Sequence, residues 1–185
     1  MLYNTVLIDP PWSFATYSEK GKDRSDENHY NCMTLDDIKS LNLKSITTKD
    51  AVCLMWCTNP HLEQGMECLK AWGFKYKSMI TWVKHDGNKL QTGCGYHTRS
   101  STELLLIATR GKGYCPPPAV RLPSGFLAPR TKHSAKPDEQ YKYAENYLGP
   151  YCEIFARRTR PGWTSIGYDM DAMDIRESLQ KLAEK

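Results

Sequence analysis

The chain has 185 residues and a mass of 21.2 kDa, and its 40% apolar and 11% aromatic content is enough for a buried core and too hydrophobic for a disordered chain. No apolar run reaches the roughly 18 residues of a spanning helix, and Met1 leads straight into the strand-like LYNTVLI, so a soluble intracellular protein with one domain over residues 1–185 is expected. Net charge is +4, but residues 75–136 hold 11 Lys and Arg against Asp86 and Glu103, a basic module that suits either a polyanion partner or a solvated face.

LYNTVLI, residues 2–8, is a short continuous apolar run of the kind that forms a buried strand of a parallel sheet. Residues 15–33 are polar and carry the charge run EKGKDRSDEN, which predicts a mobile surface loop. Thr34 before LDDIKSL reads as a helix N-cap with acids in the first turn. AVCLMWC (51–57) predicts a second buried strand, and residues 61–74 a helix with Leu62, Met66, Leu69 and Trp72 at helical spacing, closed by Gly73. YKSMITWV then predicts a strand, residues 85–102 a loop, and ELLLIATRG (103–111) a strongly apolar strand.

Residues 116–137 are rich in proline and lack any period, which predicts an irregular excursion. Pro137 fits the first position of a helix that runs to Gly149, CEIFA (152–156) and WTSIG (163–167) read as strands, and residues 171–185 as a C-terminal amphipathic helix. Strands alternating with helices predict an open α/β sheet covered on both faces, with ligands bound beyond the carboxyl ends of its strands. The seven cysteines are odd in number and show no CxxC pair or zinc spacing, so they read as reduced, buried small hydrophobes, and no metal site is expected.

The first predicted strand ends on Asp9-Pro10-Pro11-Trp12. A residue before proline is held extended, so Asp9 continues the strand while the two prolines stiffen the turn. Proline has no N–H, so this turn offers carbonyl acceptors beside a carboxylate, and Trp12 adds a flat face. Acceptors without donors suit an exocyclic amine on a planar base. Asp9 and the Pro10 carbonyl can each take one N–H, turning the nitrogen lone pair toward an electrophile while Trp12 stacks on the ring. A proline-terminated strand with a core tryptophan is the plain structural alternative.

Several segments resemble the DPPW adenine-N6 methyltransferases of the MT-A70 family. They are DPPW, HYNCMTLDDIKSL (29–41), AWGF (71–74), TWVK (81–84), TRSSTELLL (98–106), APRTKHSAKPDEQY (128–141) and FARRTRPGW (155–163), in the family's order and over nearly the whole chain. The resemblance implies a Rossmann-like fold with a mixed, mostly parallel sheet, helices on both faces, and a catalytic motif that precedes the cofactor motif. It implies S-adenosylmethionine as cofactor and the N6 amine of adenine in nucleic acid as acceptor, DNA before RNA.

By the same resemblance Asp9, Pro10, Pro11 and Trp12 are the catalytic set. Ile8, Asp9, Lys136, Arg157, Arg158, Thr159, Arg160 and Gly167 fall where the family holds the cofactor. Tyr168 and Asp169 stand where the family commonly has Asn and an amide or acid, and are carried over on position alone. Tyr30, Trp82, Lys84, Arg99, Glu103, Arg130 and Lys132 fall around the substrate, with Trp82 on an apolar strand equally suited to the core. Lys136, just before a predicted helix, lies at the unfavourable end of the helix dipole and calls for an anion. Arg99, Arg110, Lys112, Arg121, Arg130 and Lys132 are expected to flank the pocket and to meet phosphates without reading sequence. A phage or bacterial setting in the cytoplasm, no membrane contact, and a monomer or homodimer with or without a partner subunit complete the expectation. The alternatives are a catalytically silent nucleic-acid-binding partner and methylation of another amine such as cytosine N4.

Overall fold

The computed structural model describes residues 1–12, 32–95, 97–131 and 135–185. Seven strands form one sheet in the order β5-β3-β4-β2-β1-β6-β7. They are β1 (Tyr3–Ile8), β2 (Thr47–Cys57), β3 (Lys75–Lys84), β4 (Thr102–Thr109), β5 (Gly125–Ala128), β6 (Tyr151–Ile154) and β7 (Trp163–Ile166). All pairings are parallel except those of β4, which runs against both β2 and β3. The expectation of a mixed, mostly parallel sheet is met.

Among the described residues the helices are α1 (Leu35–Lys39), α2 (Leu62–Ala71), α3 (Glu139–Ala144), α4 (Tyr168–Asp171) and α5 (Ile175–Ala183). Thr34 caps α1 as its sequence predicts, accepting the Asp37 N–H at 3.2 Å. The central strands alternate their side chains between two cores. Cys53, Met55 and Cys57 of β2 pack with Ile38 of α1, Leu69 of α2 and Leu179 of α5. Val52, Leu54 and Trp56 pack on the other face with Tyr141 and Ala144 of α3. Each fully buried large apolar side chain contributes about 1.5–3 kcal/mol, so the two cores together position the strand ends firmly.

Four expectations are corrected. The region 116–137 contains the edge strand β5, whose GFLA is too short and too exposed for its period to show. The helix after Pro137 stops at Ala144 rather than at Gly149, and the C-terminal helix begins at Ile175, capped by Asp174. Of the seven cysteines, Cys53, Cys57, Cys68 and Cys152 are buried, Cys32 is half-buried, and Cys94 and Cys115 are exposed. Among the described residues no helix is long and apolar enough to cross a membrane.

Candidate active site

β1, β2, β3, β6 and β7 all end at one rim of the sheet. Because β4 is reversed, its first residues reach that same rim: Glu103 lies opposite Trp82, and Thr102 opposite Val83. An acid from the start of one strand thereby meets an acid just past the end of another. Lys136 Nζ stands 3.0 Å from Asp9 Oδ1 and 3.3 Å from Glu103 Oε2, and Lys84 Nζ donates to Glu103 Oε1 at 2.6 Å. The result is an alternating row of two acids and two lysines, with side chains only 9–18% exposed. Lys136 approaches Glu103 Oε2 at ion-pair distance, and among the described residues this buried oxygen has no closer polar partner. The anion that Lys136 calls for is supplied by two protein carboxylates.

Burial pushes the Asp9 carboxyl above its ordinary value, although Lys136 and Arg157 pull the other way. Burial acts on Glu103 too, but there Lys136 and Lys84 outweigh it and hold the carboxyl low. On Lys136, burial favours the neutral amine and is outweighed by Asp9 and Glu103, which hold it protonated.

The turn after β1 is closed by its own main chain. The Trp12 N–H donates to the Pro10 carbonyl at 2.9 Å, and the Met33 N–H to the Pro11 carbonyl at 3.1 Å. The Pro10 oxygen therefore keeps one lone pair for a ligand, which narrows the expectation that all carbonyls of this turn are available. Trp12 is 7% exposed. Its indole N–H donates to the Trp56 carbonyl at 3.3 Å, and the His61 ring stacks on it at 5.3 Å between centroids, with planes 18° apart. At most its opposite face is left for a base.

The structure divides the loop after β6. Arg157 acts electrostatically on Asp9, whereas Arg158 pairs with Asp138, and Arg160 pairs with Glu145 at 2.8 Å and lies over the Tyr141 ring at 4.2 Å. Thr159 is exposed beside them. Phe155, at the start of this loop, has φ 64°, a left-handed conformation that costs a non-glycine residue about 1–3 kcal/mol. Gly167 after β7 faces the same loop, and a Cβ there would come 2.7 Å from the Ala156 carbonyl, so only glycine lets the two strand ends approach. Tyr168 and Asp169 follow at this rim, with Tyr168 65% exposed.

Other assignments move. Trp82 is core: fully buried, donating to the Ala128 carbonyl at 2.8 Å and edge-on to Trp56, so it is not a substrate contact. Ile8 is equally buried between β2 and β6, and its side chain cannot reach a ligand. Lys84 is bound to Glu103 rather than offered to a phosphate. Arg110 and Lys112 lie at the far end of β4, away from the rim. Arg110 donates to the Thr47 and Thr48 carbonyls and lies over Phe74, so neither residue flanks the pocket. Arg121 is turned back onto the Pro116 carbonyl at 2.9 Å. Arg99 and Arg130 are exposed in loops at the rim. Tyr30 and Lys132 lie outside the described residues.

Sequence reasoning missed Glu153. It sits in β6, buried, with its carboxylate accepting the Tyr141 O–H at 2.8 Å. Burial, with Asp9 adding to it against the hydrogen bond from Tyr141, raises this carboxyl to about 7. The signal was present, since an acid inside the apolar run CEIFA is anomalous. A carboxyl whose folded-state value lies above the ordinary 4.5 stabilises the fold fully below that pH and loses its contribution as pH rises through about 7. Glu153→Gln should therefore match the wild type in urea unfolding near pH 4.5 and exceed it by roughly 2–3 kcal/mol at pH 8. Equal stability at both pH values would show that Glu153 is solvated.

The donor set fits a cationic amino-acid ligand. Asp9 and Glu153 are buried acids raised by desolvation, which a positive charge relieves, while Lys136 and Arg157 can meet a carboxylate.

The family model described as MT-A70 matches residues 3–169. The chain is 30% identical over 183 residues to the N(6)-adenosine-methyltransferase MT-A70-like protein of Arabidopsis thaliana, covering 94% of this chain and 24% of that protein. It is 29% identical over 192 residues to the N(6)-adenosine-methyltransferase catalytic subunit METTL3 of Homo sapiens, covering 94% and 29%. It is 26% identical over 189 residues to the type II methyltransferase M.MunI of a Mycoplasma species, covering 91% and 78%. The chain thus spans about a quarter of the length of its plant and human matches and most of the mycoplasmal one.

Proposed function

The chain belongs to the MT-A70 family, and on that premise we propose that it is an S-adenosylmethionine-dependent adenine N6-methyltransferase acting on nucleic acid, DNA before RNA. The observation that carries the reading is the Asp9 carboxylate beside a Pro10 carbonyl with one free lone pair, both fixed at the end of β1. The preference for DNA draws on the likeness to the bacterial type II methyltransferase, which this chain matches over most of its length.

S-adenosylmethionine supplies, when bound, a methyl group activated on a sulfonium. Lys136 and Arg157 would hold its carboxylate, and Asp9 and Glu153 its cationic and hydroxyl groups. Asp9 and Pro10 each accept one N–H of the N6 amine, which aims the nitrogen lone pair out of the base plane. As the nitrogen gains positive charge, the same two acceptors stabilise it, so the ledge binds the transition state more tightly than the ground state. The excess proton then has a nearby acceptor in Asp9, whose carboxyl is raised by burial. Arg99 and Arg130, exposed at the rim, suit phosphate contacts that orient a strand without reading it. An adenine within a duplex must first be flipped out at a cost of a few kcal/mol, so single strands should react faster.

The test uses the purified chain with methyl-labelled cofactor and matched single-stranded and duplex oligonucleotides, followed by nucleoside mass spectrometry. N6-methyladenine is expected. N4-methylcytosine would move the acceptor to the other amine, and absence of label on every DNA and RNA would overturn the reading.

A further inference from the structure

We propose that the turn Thr58-Asn59-Pro60-His61, between β2 and α2, sets the geometry of the catalytic ledge, with His61 as a positioning residue that holds Trp12 and through it the Pro10 carbonyl. The proposal rests on the methyltransferase reading above.

The ledge is fixed at two ends. At its inner end the Asp9 N–H donates to the Ile154 carbonyl at 3.4 Å, tying it to β6. At its outer end the Trp12 N–H closes on the Pro10 C=O over three residues, while the Met33 N–H holds the Pro11 C=O and leaves the Pro10 carbonyl to Trp12. In so short a ring the direction of the Pro10 carbonyl follows the position of Trp12. A displaced indole therefore swings the acceptor that has to meet the amine.

Trp12 is gripped from the end of β2. Its N–H bond to the Trp56 carbonyl is long, at 3.3 Å, and leaves the tilt of the ring open. The near-parallel His61 ring removes that freedom. His61 is itself oriented, because its Nδ1 and the Thr58 hydroxyl share a hydrogen bond at 2.8 Å. Thr58, His61, Trp12 and Pro10 thus form one mechanical sequence from a strand end in the core to the reacting atoms.

The same turn reaches the second acid. Asn59 Nδ2 donates to Thr102 Oγ1 at 3.2 Å, and Thr102 immediately precedes Glu103. One turn of four residues therefore touches both elements that bring carboxylates to the rim. An aliphatic side chain would fill the space that His61 occupies. What the imidazole adds is a flat contact surface at a fixed angle, and the experiment isolates that property.

Steady-state kinetics on the preferred oligonucleotide, with calorimetric cofactor binding, compare the wild type with His61→Ala and His61→Phe. A shift of about 1 Å at a reacting group costs on the order of 100-fold, so His61→Ala should lower kcat roughly 10- to 100-fold. Cofactor affinity should stay within about two-fold, because the change falls on the transition state. His61→Phe, which restores a flat ring without the Thr58 bond, should recover most of kcat. Wild-type kcat in His61→Ala would overturn the proposal, as would parallel loss of kcat and cofactor affinity in both variants. A second readout is independent of turnover: with 5-fluorotryptophan incorporated, the Trp12 resonance, assigned by its absence in Trp12→Phe, should shift in His61→Ala and return in His61→Phe. An unmoved resonance rejects the contact. If the wild type methylates no nucleic acid, the methyltransferase reading fails by itself and the fluorine signal still decides whether His61 positions Trp12.

Discussion

Asp9→Asn should lower the single-turnover rate of methyl transfer by at least about 100- to 1000-fold while leaving the fold intact, by the magnitude that one preorganised polar contact contributes. The substitution preserves shape. It removes the charge that stabilises the cationic nitrogen and replaces an acceptor with an NH2 that opposes the incoming amine. Lys136 retains Glu103 at 3.3 Å, so no buried cation is stranded and urea unfolding should move little. The pH dependence has a definite sign. Because burial raises Asp9, and transfer needs the carboxylate, the wild-type rate should fall on acidification starting above the pH at which an ordinary aspartate protonates. A variant that retained most of the wild-type rate would remove Asp9 from the chemistry.

Lys136→Met should have the largest effect on stability. Asp9 and Glu103, with side chains 18% and 13% exposed, would lose the cation they share, at a cost of about 3–5 kcal/mol. Glu103 shows the sign. Burial alone would raise it, but Lys136 and Lys84 hold it low, so its contribution is present above its ordinary value and lost as pH falls through the depressed one. Without Lys136, burial is less opposed at both acids, and each should hold its proton to a higher pH than in the wild type. The variant should then gain stability between pH 8 and pH 5, relative to the wild type. Asp9→Asn combined with Lys136→Met should recover much of the loss, since one carboxylate is left and Lys84 holds it at 2.6 Å. A single variant within about 0.5 kcal/mol of the wild type at pH 8 would mean that the row of charges is solvated rather than buried.

The strands were legible because strands buried on both faces read as unbroken apolar runs. AVCLMWC is buried at every position. β5 was not legible, because an edge strand of four residues flanked by prolines carries no run long enough to recognise. The reversal of β4 is a matter of pairing that residues 85–101 do not announce: the eight residues 155–162 join the parallel pair β6 and β7 without a helix, so a helix-free connection does not by itself tell a hairpin from a crossover. Within the site, Asp9, Glu103 and Lys136 were found through the motifs around them, and the structure joins them into one row. Trp82 and Ile8 share those motifs yet serve the core, since a motif marks neighbourhood along the chain and burial depends on which face a strand residue points to. His61 was read only as the start of a helix. Its stack on Trp12 links residues 49 positions apart, which no local pattern encodes.

The reversed strand has a further consequence. Every other connection at the rim must carry the chain back across the sheet before the next strand can begin, but β3 passes into β4 by folding back on itself. Residues 85–101 are thus a hairpin insert, and such an insert can be lengthened, shortened or exchanged without re-registering any strand. Length changes in this cassette would then leave the pairing of β3 with β4 as it is, and with it the position of Glu103 beside Lys136.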